Sequence, residues 1–152
     1  MKFEKFFKSA GTHGLIVKKS EIETWLVCGG VGMRIPNGVN NLGVICEPEK
    51  SFDAIVNSDF STEDYLALKE AVLLDPEGKN NDIIRVFETE FGDRVGIYNA
   101  NYGLLERKDK LTYLEIEADD PNNEGKTITS KYIVVRDHND DVIGFIAGSD
   151  RI

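Results

Sequence analysis

Histidine and cysteine are scarce in this chain. Its 152 residues hold two of each. His13 and His138 lie 125 positions apart, and Cys28 and Cys46 lie 18 apart, so none of the four stands at a metal-ligand spacing or beside an evident nucleophile or base. No apolar run approaches the roughly 18 residues of a membrane helix. The first eight residues alternate lysine with phenylalanine, which breaks the unbroken apolar stretch a secretory signal needs. These absences argue for an intracellular protein with two free thiols. Cys28 (after Leu26-Val27) and Cys46 (after Val44-Ile45) read as small core residues. No metal and no cofactor is expected, and the chain reads as a binding protein rather than an enzyme.

Two glycine- or acid-rich stretches look like sites and fail on spacing. Gly29-Gly30-Val31-Gly32 is followed by Met33-Arg34-Ile35-Pro36, without the Lys-Ser/Thr and helix of a phosphate loop. A tight bend between strands fits better. Asp137, Asn139 and Asp141 alternate as calcium ligands do, yet Val142 occupies the place where an EF-hand needs glycine, so a hairpin turn is expected. His13, flanked by Gly11, Thr12 and Gly14, is the best histidine for chemistry on local grounds. No serine or cysteine offers itself as its partner, and capping the first helix is its plainer role. Trp25, Tyr98 and Tyr102 read as packing aromatics.

What is abundant is negative charge. The net charge is −9, yet residues 1–20 carry five lysines (Lys2, Lys5, Lys8, Lys18, Lys19) against Glu4 alone, which leaves −13 for the rest. Such a body repels nucleic-acid phosphate, whereas the N-terminal segment attracts it. Residues 1–14 read as a basic amphipathic helix and turn: Lys2, Lys5 and Lys8 fall on one arc, and Phe3, Phe6 and Phe7 on the opposite arc.

Short strands are expected at 15–18, 24–28, 33–35, 42–46 and 51–56, with a turn at Pro36-Asn37-Gly38. A longer helix is expected from Thr62 to Leu74, started by Ser61 with Glu63 and Asp64, striped by Tyr65, Leu68 and Val72, and stopped by Asp75-Pro76. Strands follow at 83–89, 94–98, 111–118, 132–135 and 142–146, with turns at 92–93, 99–103 and 137–141 and a polar loop over 119–126. The fold class is α+β in a single domain spanning 1–152: a mostly antiparallel sheet with one or two helices packed on it.

Residues 65–107, read as helix, Asp-Pro-Glu-Gly turn, strand, Gly92-Asp93 turn, strand, polar turn and a strand over 104–107, resemble the helix and meander of one domain of a DNA sliding clamp. Tyr132-Ile133-Val134-Val135-Arg136-Asp137, a polar turn and Val142 to Ile146 are similar to the closing hairpin of such domains. The resemblance implies a ring-forming, non-enzymatic processivity factor that encircles duplex DNA. Clamp subunits carry two or three such domains and this chain has room for one, so it would form a six-membered ring or keep the fold without the ring. Lys2, Lys5 and Lys8 are the expected DNA contacts. The second expected helix, with Glu63, Asp64 and Glu70 against Lys69, is not basic. The residue style resembles that of phage proteins.

The leading expectation is therefore a non-enzymatic interaction protein, clamp-like and linked to DNA replication, with a protein partner, duplex DNA if oligomeric, no membrane, and a homo-oligomeric state open to it. Its place is the cytoplasm, that of an infected bacterial host if the phage style holds. The alternative is a small acidic inhibitor that offers Glu115, Glu117, Asp119 and Asp120 in place of phosphates to a nucleic-acid-binding host protein. A virion or assembly component is a third reading, and an enzyme using His13 or the Asp-rich turns a fourth.

Overall fold

The computed structural model describes residues 1–11, 13–20, 22–36, 44–46, 50–75, 77 and 82–152, without the side chains of 44–46. The expected turn at Asn37-Gly38, the start of the 42–46 strand, the Pro76 stop and the Cys46 side chain lie outside these. The architecture is α+β. Helix α1 (Phe3–Ala10) leads into β1 (Leu15–Lys18), β2 (Thr24–Cys28) and β3 (Val31–Arg34). Then come β4 (Val44–Cys46), α2 (Lys50–Val56), β5 (Leu66–Leu73), β6 (Ile83–Thr89), β7 (Arg94–Tyr98), α3 (Asn99–Tyr102), β8 (Lys110–Asp119), β9 (Thr127–Arg136) and β10 (Val142–Ala147). Seven strands form one sheet in the order β4-β1-β2-β3-β10-β9-β8, antiparallel except for β1 beside β4. The antiparallel order β5-β6-β7 forms a second sheet.

Alternation along the strands gives the large sheet two apolar faces. One carries Ile16, Leu26, Met33, Ile133, Val135 and Ile146 against Phe6 of α1 and against Phe87, Val95 and Ile97 of the small sheet. The other carries Val17, Trp25, Val134 and Phe145 beneath Phe52, Ile55 and Val56 of α2. Trp25 is fully buried and lies edge-on to Phe52, with ring centroids 5.5 Å apart. Gly29 and Gly30, at φ +59° and +76°, make the two-residue turn between β2 and β3. Gly32 is bare because the Phe145 ring occupies the space a Cβ would need.

Several expectations give way. Residues 62–74 are not a helix: Thr62–Asp64 make one 3-10 turn, Tyr65 is already extended at ψ 132°, and Leu66–Leu73 is β5. The capping signal is real but lasts a single turn, with the Asp64 carboxylate accepting the Ser61 N–H at 2.7 Å. Residues 51–56, expected as a strand, are α2, which buries Phe52, Ile55 and Val56 at helical spacing. The 99–103 turn is the short α3, and 104–107 has no strand, although Leu104 is buried. The helix and the last strand quoted for the clamp resemblance are therefore absent. The closing hairpin stands as β9 and β10, with β9 beginning five residues earlier than expected.

Candidate interaction surface

β8 and β9 pair over ten residues each, from Lys110 opposite Arg136 to Asp119 opposite Thr127. β10 accompanies β9 only as far as Tyr132, opposite Ala147. Beyond that point, apart from the Gly148 N–H that bonds the Lys131 carbonyl at 2.7 Å, β9 has no strand on its other side among the described residues, and residues 115–131 extend as a two-stranded arm. Burial records this: from Glu115 to Lys131 each side chain is exposed except for the half-buried Ile116, Asp120 and Ser130. Five outward residues at about 3.4 Å each give an arm roughly 17 Å long.

The arm has two unlike faces. Even positions of β8 place Leu114, Ile116 and Ala118 opposite Tyr132, Ser130 and Ile128. Odd positions place Glu115, Glu117 and Asp119 opposite Lys131, Thr129 and Thr127. The three carboxylates thus stand in a row on one face, about 6.8 Å apart. Lys131 does not neutralise Glu115; its Nζ turns back to the Arg94 carbonyl oxygen at 3.3 Å. Glu115 instead accepts a hydrogen bond from the Tyr113 hydroxyl. Burial, and then this carboxylate, push the Tyr113 hydroxyl well above the usual tyrosine value. Among the described residues none of the three acids, nor Asp120, forms an ion pair.

Asp120 departs from the other three. Its carboxylate folds back onto the loop, accepting the Asn122 N–H at 2.8 Å and the Asn123 Nδ2 at 2.8 Å, and these bonds hold it below the usual aspartate range. It shapes the tip rather than extending the row.

Lys5 and Lys8 on α1, and Lys2 just before it, lie exposed, opposite the Phe face that the core holds. Lys5 Nζ reaches the Gly103 carbonyl oxygen at 3.3 Å, and none of the three pairs with a carboxylate among the described residues. The basic helix and the acidic arm are separate features. His13 is exposed just past the end of α1; its backbone N–H bonds the Ala10 carbonyl at 3.2 Å, and its ring makes no hydrogen bond among the described residues. The 137–141 stretch is a hairpin turn in which Asp137 accepts the N–H groups of Asn139 and Asp141, at 2.9 and 3.1 Å. Cys28 is a half-buried free thiol that touches the core, Trp25 is core, and Tyr102 packs on Phe87 with Arg85 over its ring. No cluster of three metal-ligating side chains occurs among the described residues, and no helix there is long and apolar enough to cross a membrane.

The projecting arm is what the sequence reading missed. Its acids stand out in the sequence, but Thr127 to Ser130 fall outside the expected strands, so the row reads as a loop margin rather than a ribbon. The chain matches no protein-family model, and no curated protein or solved structure is significantly similar to it.

Proposed function

We propose that this protein works by binding, and that the β8–β9 arm presents its acidic face to a basic, nucleic-acid-binding partner. The observation that carries this is the row Glu115, Glu117 and Asp119: three exposed carboxylates at two-residue intervals on one face of a projecting ribbon, with the one lysine opposite them drawn away. A fixed row of charges attracts a cationic surface from a distance and selects its register on contact. The test uses an immobilised oligo-arginine peptide as the probe. The full chain binds it at low salt, binding weakens as salt rises, and the Glu115→Gln/Glu117→Gln/Asp119→Asn variant loses at least tenfold in affinity. A control variant neutralising the exposed Glu4, Asp53 and Asp150 keeps the same net charge as the arm variant and retains binding. Equal loss in both variants overturns the proposal, because net charge alone would then suffice.

A second reading is favoured by a separate observation, the exposed Lys2, Lys5 and Lys8 at and within α1, none of which pairs with a carboxylate among the described residues. Duplex DNA at low salt would bind there through Lys2, Lys5 and Lys8, as a clamp-like factor linked to replication requires. Replacing all three by alanine removes that binding and lowers its salt dependence; unchanged binding in the triple variant removes the reading.

A further inference from the structure

β5 is a free edge. Ala67 to Ala71 are exposed, and Leu68 and Leu73 are 45% and 40% accessible. Beyond its pairing with β6, β5 has, among the described residues, a strand neighbour at its start alone, where Tyr65 bridges Thr112 of β8. Long, apolar, unpaired edges invite another strand.

Which backbone groups face outward follows from the ladder. The Leu74 N–H points inward to the Asp82 oxygen at 2.9 Å, so Val72 also points inward, and Ala71 and Leu73 point out. At the other end, Thr89 sends its N–H to the Asp93 oxygen, away from β5. Thr89 and Phe87 stand opposite Leu66 and Leu68, so these too point outward. A bulge at Lys69 separates the two halves, since the register jumps from Leu68–Phe87 to Glu70–Val86. The outward residues are thus 66, 68, 71 and 73, which are symmetric about the midpoint between Lys69 and Glu70. A regular strand lacks that symmetry between adjacent residues; the bulge creates it.

The sequence of β5, Leu-Ala-Leu-Lys-Glu-Ala-Val-Leu, has the same symmetry in chemistry. We infer that β5 is a self-pairing edge, and that its occupant is β5 of a second copy of this chain, antiparallel about a two-fold axis between Lys69 and Glu70. In that register Leu66 faces Leu73 of the other copy, Ala67 faces Val72, Leu68 faces Ala71, and Lys69 faces Glu70. Each pair occurs twice, as an isologous contact requires. The outward N–H and C=O groups of 66 and 68 meet those of 73 and 71. Lys69 and Glu70 already pair with Glu88 and with Arg94 in their own chain. The two-fold would join these into one network of alternating sign. The three-stranded sheets of two copies would become one sheet of six.

A contact of this size, under about 1,200 Å², is weak. Sedimentation of the full chain from about 10 µM to about 1 mM covers the matching affinities and is expected to show a monomer–dimer equilibrium. Leu68→Pro deletes an outward N–H without touching the ladder to β6, and is expected to leave a folded monomer at every concentration. Lys69→Glu sets acid against acid twice and weakens the dimer at least tenfold; adding Glu70→Lys restores it. The Lys69 variants keep the test open if the proline variant does not fold. A wild-type chain that stays monomeric, or a dimer indifferent to Lys69→Glu, overturns the inference. The arm proposal is unaffected by either result, because it involves β8.

Discussion

The two halves of the β8–β9 hairpin share strands and register but differ in surroundings. In the inner half, Thr112, Val134, Val135 and Arg136 are each less than 5% exposed. Arg136 is held there without a carboxylate. Its Nε donates to Thr112 Oγ1 at 3.2 Å, its Nη1 to the Asp140 carbonyl at 3.1 Å, and its Nη2 to the Ser58 carbonyl and hydroxyl at 2.9 and 3.1 Å. The guanidinium also lies 4.3 Å from the Phe60 ring centroid. Burial pulls its pKa down, while Asp140 and Asp59 push the other way. One side chain thus fastens the hairpin to the end of α2 and to its own turn. In the outer half, no side chain between 115 and 131 is fully buried, and charges face water. The lesson is a division of labour within one pair of strands: packing is concentrated at one end, which leaves the side chains of the other exposed.

The largest break in this comparison comes from the inner half. Arg136→Ala removes four charge-assisted hydrogen bonds, one of them to the buried Thr112 hydroxyl, and leaves the partly buried Ser58 and Asp140 carbonyl oxygens without this donor, so a loss of about 3 kcal/mol is expected. Chemical denaturation measures it as a lower midpoint at unchanged slope. Next in size is the outer half. The Glu115→Gln/Glu117→Gln/Asp119→Asn variant should change stability by less than about 0.5 kcal/mol per site, because exposed positions without partners contribute little. A loss comparable to that of Arg136→Ala would show that the row belongs to the fold and not to a binding face.

Much of this fold was legible where period and surroundings agree. The Phe face of α1, the β1–β2–β3 meander with its glycine turn, and the β9–β10 hairpin all follow from local pattern. β5 did not. Its outward face runs 66, 68, 71, 73, because the bulge at Lys69 inserts one residue into a two-residue period. The stripe read as helical, Tyr65, Leu68 and Val72, has spacings of three and four that a helix shares, and a genuine capping signal at Ser61 precedes it. α2 failed in the reverse sense: six residues rich in apolar side chains carry too little sequence to separate the two periods. Of the candidate site, the acids Glu115, Glu117 and Asp119 could be named from sequence, since they alternate. That they project could not, because projection depends on where β10 stops pairing with β9, and that is set by tertiary contacts.

Acid titration sharpens the comparison with the smallest expected effect. The body, by contrast, holds some carboxylates that are paired. The Met1 ammonium lies 3.2 Å from Glu106 Oε2 and 2.9 Å from Asp109 Oδ1, and Asp109 Oδ2 accepts the Glu106 N–H at 2.8 Å. This hydrogen bond from the ammonium, aided by Lys108, holds Glu106 below the usual glutamate value of 4.5. A carboxyl whose pKa is lower folded than unfolded adds stability that is complete above the unfolded value and is lost as pH falls through the folded one. Stability should therefore decline as pH drops below about 4.5, and Glu106→Gln should flatten that decline while lowering stability slightly at pH 7. The arm acids differ in their surroundings: among the described residues Glu115, Glu117 and Asp119 form no ion pair. Thermal melts across the acid range on the wild type, on Glu106→Gln and on the arm variant separate the two groups. If the arm variant flattened the acid decline as much as Glu106→Gln does, the row would be tied into the body's charge network, and the contrast between the two halves would fail.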